Sequence, residues 1–166
     1  MDDLQRQFIG SWRLLDYSVE NLTTGVSSKV LGDDAQGHII YTPEGWVSAT
    51  LMAANRMPNS TDRLARYALK DKLIAGGIHD LTEEDRNFAL PFLLASFGYI
   101  AYCGTFTADA THVHHQITEA FFPAYVGSTA TRSYRFTEDR LLLTAEAFGG
   151  RDQVLWQRVP PPGGVA

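Results

Sequence analysis

The stretch FGYIAYCGTFTADATHVHHQITEAFFPAYVGSTATRSYRFTEDRLLLTAEAFGGRDQVLWQRV, residues 97–159, decides the fold. Aromatic and β-branched residues alternate with polar ones along it, and short polar or glycine-bearing links interrupt it, which is how consecutive half-buried strands read. Strands are expected at 97–107, 111–120, 128–137, 140–147 and 153–159. The links Ala108-Asp109-Ala110, Thr137-Glu138-Asp139 and Phe148-Gly149-Gly150-Arg151-Asp152 are short, and short links join antiparallel neighbours in sequence order. Upstream, residues 11–20 and 27–31 read as strands. His38–Tyr41 and Trp46–Met52 form a hairpin about Thr42-Pro43-Glu44-Gly45, where Pro followed two residues later by Gly suits a tight turn. The expectation is all-β: an antiparallel up-and-down barrel of about eight to nine strands, because a meander of that length removes its exposed edges by closing. Such a barrel has room for one small ligand.

Residues 53–96 break the pattern. Asn59-Ser60-Thr61 offers helix caps, Leu64, Tyr67, Ala68 and Ile74 follow at helical spacing, and Gly76-Gly77 is a stop. Thr82 and Asp85 resemble a capping box, and Pro91 kinks or restarts the helix that follows. Helices are therefore expected over 60–75 and 82–96, as a lid on one barrel mouth or as the surface of a homodimer. Residues 1–160 form one barrel domain with this insert, and the tail 161–166, with Pro160-Pro161-Pro162-Gly163-Gly164, is expected to be disordered.

Composition sets the class. The 166 residues are 45% hydrophobic and 20% charged, with a net charge of −5, which suits one globular domain with its own core. There is no basic run, so no nucleic-acid partner is expected. No apolar stretch is long enough to span a membrane, and the start MDDLQRQFIGSW lacks the features of a signal peptide. A cytoplasmic location is the expectation. The single cysteine, Cys103, excludes an internal disulfide and reads as a core filler. Dinucleotide, P-loop, zinc-protease and serine-hydrolase motifs are absent.

The chain resembles the lipocalin-like domain family of bacterial and fungal proteins. The likeness rests on an ordered set: Gly10-Ser11-Trp12-Arg13-Leu14; Gly32, Gly37 and Gly45 about the hairpin; Tyr99-Ile100-Ala101-Tyr102-Cys103-Gly104-Thr105-Phe106; Val113-His114-His115; Phe122-Pro123-Ala124-Tyr125-Val126-Gly127; and Leu155-Trp156-Gln157-Arg158. The resemblance implies a closed barrel in which Arg158, on the last strand, packs on Trp12 at the base. It also implies a small-molecule site, since some relatives belong to secondary-metabolite pathways and such barrels catalyse cyclisations or isomerisations without a cofactor. The insert at 53–96 is where the chain is expected to depart from the family, whose connection there is shorter.

Strand alternation nominates the site. On the fifth long strand Ile100, Tyr102, Gly104 and Phe106 share the apolar face. On the next, Val113, His115, Ile117 and Glu119 share it, while His112, His114, Gln116 and Thr118 take the other. On the one after, Ala130, Arg132, Tyr134 and Phe136 go together. Tyr102, His115, Arg132 and Glu119 are thus the candidate catalytic groups. His115 reads as a general base or as a satisfied core histidine. Tyr102 donates to a ligand carbonyl or fills the core with its hydroxyl at the rim. Arg132 holds a ligand carboxylate or enolate, or pairs with Glu119. Tyr41, Trp46, Phe106, His114, Tyr125 and Tyr134 are candidate ligand-binding residues. His112 and His114 have metal-ligand spacing, but nothing in the spacing demands a third ligand, so no metal or other cofactor is expected. These residues point to a cofactor-independent cyclase or isomerase of a hydrophobic metabolite of polyketide or terpenoid type. A passive carrier of an apolar metabolite and an interaction module built on the insert are the alternatives, the last of which requires a barrel with no cavity.

Overall fold

The two ends of the sequence pattern meet. In the computed structural model, which describes residues 3–147 and 149–160, Trp12 on the first strand pairs with Arg158 on the last. The guanidinium lies 4.0 Å from the centroid of the Trp12 ring and donates to the carbonyls of Ile9 and Gln7, both at 2.7 Å. The indole N–H of Trp12 donates to the carbonyl of Phe8 at 2.8 Å. A cation stacked on the indole face, with its own donors spent on backbone, closes the base of the barrel as the end motifs imply.

The strands are β1 (Gly10–Asn21), β2 (Ser27–Ser28), β3 (Gln36–Tyr41), β4 (Trp46–Met52), β5 (Tyr99–Ala108), β6 (His112–Ala120), β7 (Thr129–Thr137), β8 (Arg140–Ala147) and β9 (Gly150–Arg158). They form one antiparallel sheet in the order β2-β1-β3-β4-β5-β6-β7-β8-β9, which the β1–β9 pairing closes into a barrel with β2 as an extra edge strand. At the hairpin, Gly45 takes a φ of 88°, a conformation without penalty only for glycine. Pro160 is the last described residue, so the expected disordered tail at 161–166 lies outside the described residues, as does Phe148 of the β8–β9 link.

Several boundaries differ from expectation for local reasons. The expected strand at 27–31 is only two residues long. A short helix, α1 (Asp3–Phe8), precedes β1, and its Phe8 is wholly buried against Tyr41, Tyr134 and Phe136. β9 starts at Gly150, so Arg151 and Asp152 are strand residues rather than turn.

The chain divides into two units, residues 1–54 with 100–166 and residues 55–99. In the second, α2 (Arg63–Gly76) is capped by Asp62, whose carboxylate accepts from the Ala65 N–H at 3.0 Å, and not from the Asn59-Ser60-Thr61 stretch. Gly77, with a φ of 70°, ends it. The capping box of Thr82 and Asp85 opens α3 (Glu83–Phe97), and Pro91 sits inside this single helix rather than restarting one. Lys72 reaches Asp85 at 2.7 Å, and that contact, with the Thr82 hydrogen bonds, pulls the Asp85 carboxyl down to about 2.

Candidate active site and ligand cavity

Sheet register sets which side chains face the barrel interior. From Gly104 to Ala108, β5 pairs with Ile117 to Val113 of β6, which brings His115 opposite Phe106. Val113 and His115 are fully buried and Ile117 is 4% exposed. Between Cys103 and Gly104 the register shifts, so that Cys103 faces Glu119 and Thr118 is an extra residue on β6. A bulge of one residue reverses the alternation beyond it. Strand alternation alone puts Glu119 inside with His115; instead it is exposed on the outer face, beside Cys103, whose thiol pKa is raised chiefly by burial and further by this carboxylate. Arg132 therefore has no Glu119 to pair with. Gly104 makes the bulge feasible, because a Cβ there would collide with the Gln116 carbonyl.

His115 belongs to a buried polar triad. The Tyr41 hydroxyl lies 2.9 Å from its Nε2 and the Tyr102 hydroxyl 2.9 Å from its Nδ1. Burial, with Arg132 and His114 nearby, holds the imidazole well below the ordinary histidine range. Burial likewise raises both tyrosines, Tyr41 strongly. The triad is thus a neutral imidazole between two protonated phenols. His115 is fully buried among core residues and is absent from the cavity wall.

One consequence is acid lability. The native imidazole stays neutral while an unfolded one takes up a proton below about pH 6.5. The unfolded state then binds more protons, so stability is complete above that pH and falls as pH drops below it, by up to about 1.4 kcal/mol per pH unit for the single site. Urea midpoints of the wild type should fall more steeply between about pH 6.5 and 5 than those of His115→Gln. Equal slopes would mean that His115 titrates normally.

The barrel interior holds a partly open cavity of about 430 Å³. Its apolar wall includes Ile39, Leu51, Ile100, Ile117, Leu143 and Val154, and its polar lining includes Tyr17, Tyr102, Tyr125, Arg132, Glu146, Asp152 and Trp156. Most of the polar groups are engaged. Tyr17 donates to Asp152 at 2.8 Å, and burial with that bond raises its pKa. Glu146 is paired to Arg151 at 2.8 Å. Two buried donors have no acceptor among the described residues: Nη1 of Arg132 and Nε1 of Trp156. Arg132 stands 5.9 Å from the centroid of the Tyr102 ring.

Of the residues nominated from sequence, the cavity brings together Tyr102, Arg132 and Tyr125. The others lie elsewhere. Tyr41 and Phe106 are core, packed on each other at 4.8 Å between centroids. Tyr134 packs on Phe8 and donates to the Asp109 carbonyl at 2.8 Å. Trp46 is 47% exposed, just past the hairpin turn. His114 is on the outer face, 3.1 Å from Asp109 and 3.0 Å from Thr131, and stacks with His112. Among the described residues, no three His, Cys, Asp or Glu side chains cluster closely enough to hold a metal, and no helix is long and apolar enough to cross a membrane.

Tyr17 and Asp152 join the site without a signal in the strand pattern. Counting by twos from Trp12 puts Tyr17 outside, but a register shift at Leu15 reverses β1 beyond Leu14 and turns Tyr17 inward. Asp152 is hidden by reading residues 148–152 as a turn.

A family model described as a lipocalin-like domain matches residues 9–79 and 92–159. The chain belongs to the lipocalin-like domain family. The match runs through the residues of α2, so the expected departure at 53–96 narrows to residues 80–91, which fall outside the match. No curated protein matches the chain. Among solved structures, this lipocalin-like barrel is similar to fatty-acid-binding protein 1 of Echinococcus granulosus, at 10% identity and a TM-score of 0.40 over 93% of this chain and 99% of that one. It is also similar to the fluorescent protein UnaG, both as wild type and as a single-residue mutant. Both are 10% identical over 93% of this chain, with TM-scores of 0.36 and 0.39 over 98% and 97% of those chains respectively.

Proposed function

We propose that this lipocalin-like barrel binds a hydrophobic small molecule in its interior and holds one acidic oxygen group of that molecule with Arg132. The observation that carries this is the guanidinium N–H of Arg132, buried with no acceptor among the described residues in a largely apolar cavity of about 430 Å³. An orphaned buried donor is costly. A ligand carboxylate or enolate removes that cost, while the aliphatic wall takes the rest of the molecule. The cavity also counts against a module built on the insert alone, which requires a filled barrel.

A second reading is cofactor-independent isomerisation or cyclisation of the bound molecule. It is favoured by Tyr102, which lines the cavity and whose hydroxyl meets His115 Nδ1 at 2.9 Å. A phenol beside a guanidinium is suited to stabilising a developing enolate. Carriage and catalysis share the binding step and differ only in whether the ligand leaves changed.

The binding step is tested by displacing an apolar fluorescent dye with dodecanoate and with its methyl ester. The wild type should prefer the acid by about 10-fold or more, the worth of a charge-assisted hydrogen bond. Arg132→Gln should bind both about equally. Equal affinities in the wild type, or failure to bind either, would contradict the proposal.

A further inference from the structure

Resting on that binding reading, we infer that Tyr41 and His115 act as a tautomer lock that turns the Tyr102 proton into the cavity, so that the ligand group seated against Tyr102 and Arg132 is an acceptor, a carboxylate or enolic oxygen, and never an amine.

The inference follows from counting protons. A neutral imidazole carries one N–H and one lone pair, and both ring nitrogens of His115 face a phenol at 2.9 Å. Two arrangements are therefore open. In the first, Tyr41 donates to Nε2, Nδ1–H donates to the Tyr102 oxygen, and the Tyr102 O–H is left over. In the second, Tyr102 donates to Nδ1, Nε2–H donates to the Tyr41 oxygen, and the Tyr41 O–H is left over.

The surroundings decide between them. Tyr41 is 1% exposed, is absent from the cavity wall, and has no hydrogen-bond partner among the described residues other than His115. A spare proton there has no acceptor in the core and carries the full cost of an unmade hydrogen bond. Tyr102 borders the cavity, where a ligand or water supplies an acceptor. The first arrangement satisfies every group of the triad and sends the one surplus donor to the site. Its neighbour Arg132 is also only a donor, with a buried Nη1 still unpaired. Tyr102 and Arg132 line the same cavity, and two donors there, one of them cationic, select for an oxygen acceptor and against an ammonium. Tyr41 and His115 are positioning residues in this scheme, since neither reaches the cavity.

The tautomer is read on ¹⁵N-histidine-labelled wild-type protein at pH 7 by long-range ¹H–¹⁵N correlation. The inference expects His115 Nδ1 at the pyrrole-like position and Nε2 at the pyridine-like position. Tyr41→Phe, a change outside the cavity, should move the two shifts toward each other as the lock is lost. The reverse assignment, a protonated ring in the wild type, or unmoved shifts in Tyr41→Phe would overturn it. Binding supplies the second arm. Dodecanoate affinity should fall about 10-fold in Tyr102→Phe with that of its methyl ester much less affected, and dodecylamine should compete poorly with the wild type. Undiminished dodecanoate binding by Tyr102→Phe, or dodecylamine binding as well as dodecanoate, would overturn the inference while leaving the cavity a binding site. If the wild type binds neither dodecanoate nor the ester, the binding reading itself fails, and with it the ligand class named here, whatever the tautomer.

Discussion

Truncation of His115 to alanine is expected to destabilise the barrel by about 2–5 kcal/mol, from the stranded buried hydroxyl of Tyr41 at roughly 1–3 kcal/mol together with the cavity left by the ring. The ring is fully buried and serves two phenols at once. Removing it strands Tyr41 in the core, where nothing else among the described residues accepts its proton. For a domain of this size the melting temperature should drop by about 5–15 °C. A comparison isolates the polar contribution: His115→Leu combined with Tyr41→Phe and Tyr102→Phe should be less destabilised than His115→Leu alone, because removing both partners of a buried hydrogen bond is cheaper than removing one. The sequence reading of His115 as a base is thereby reshaped. Its ring nitrogens are both occupied, so any acid–base role runs through Tyr102. A His115→Ala protein that melts with the wild type would contradict the triad.

Gly104→Ala is the second large effect. A methyl group at this position meets the Gln116 carbonyl of the facing strand, with the carbonyl carbon of Gln116 and the Ile117 Cα close behind. These are backbone atoms of a closed barrel and have no rotamer to move into. We expect a loss of about 3 kcal/mol or more, at the diagnostic end of single substitutions, read as a lowered urea midpoint. Gly25→Ala is the control: it has open space around its Cβ position and a φ of +68°, so it should cost only about 1 kcal/mol, from the left-handed backbone alone. If both cost the same, the close approach that seats the β5–β6 bulge is not real.

The bulge also explains what the sequence could and could not disclose. The architecture was legible because it depends on repeated, redundant signals, alternation within strands and short links between them, to which the family resemblance adds the end residues Trp12 and Arg158. The inward phase of Tyr102, Val113, His115 and Ile117 was legible for the same reason, as each lies on an uninterrupted stretch. Glu119 was misplaced because one extra residue, Thr118, reverses the count, and no residue type announces it. Tyr17 was overlooked through the same effect at Leu15. The partnership of Tyr41 with His115 joins β3 to β6, residues 74 apart in sequence, and no local pattern encodes a contact across a barrel. For Arg132 the sequence leaves a ligand anion, several acceptors or Glu119 as partners; Glu119 lies outside, Nη1 has no acceptor among the described residues, and the ligand anion is the partner proposed above.

The central claim is that a ligand's acid group meets Arg132 inside the barrel. Its most direct measurement is the carboxyl ¹³C signal of [1-¹³C]dodecanoate titrated with acid in the presence of excess protein. The account predicts one bound signal, separate from that of free ligand, that stays ionised to a lower pH than the free acid and loses this depression in Arg132→Met. A bound carboxyl that titrates like the free acid in the wild type, or identically in the two proteins, would contradict it.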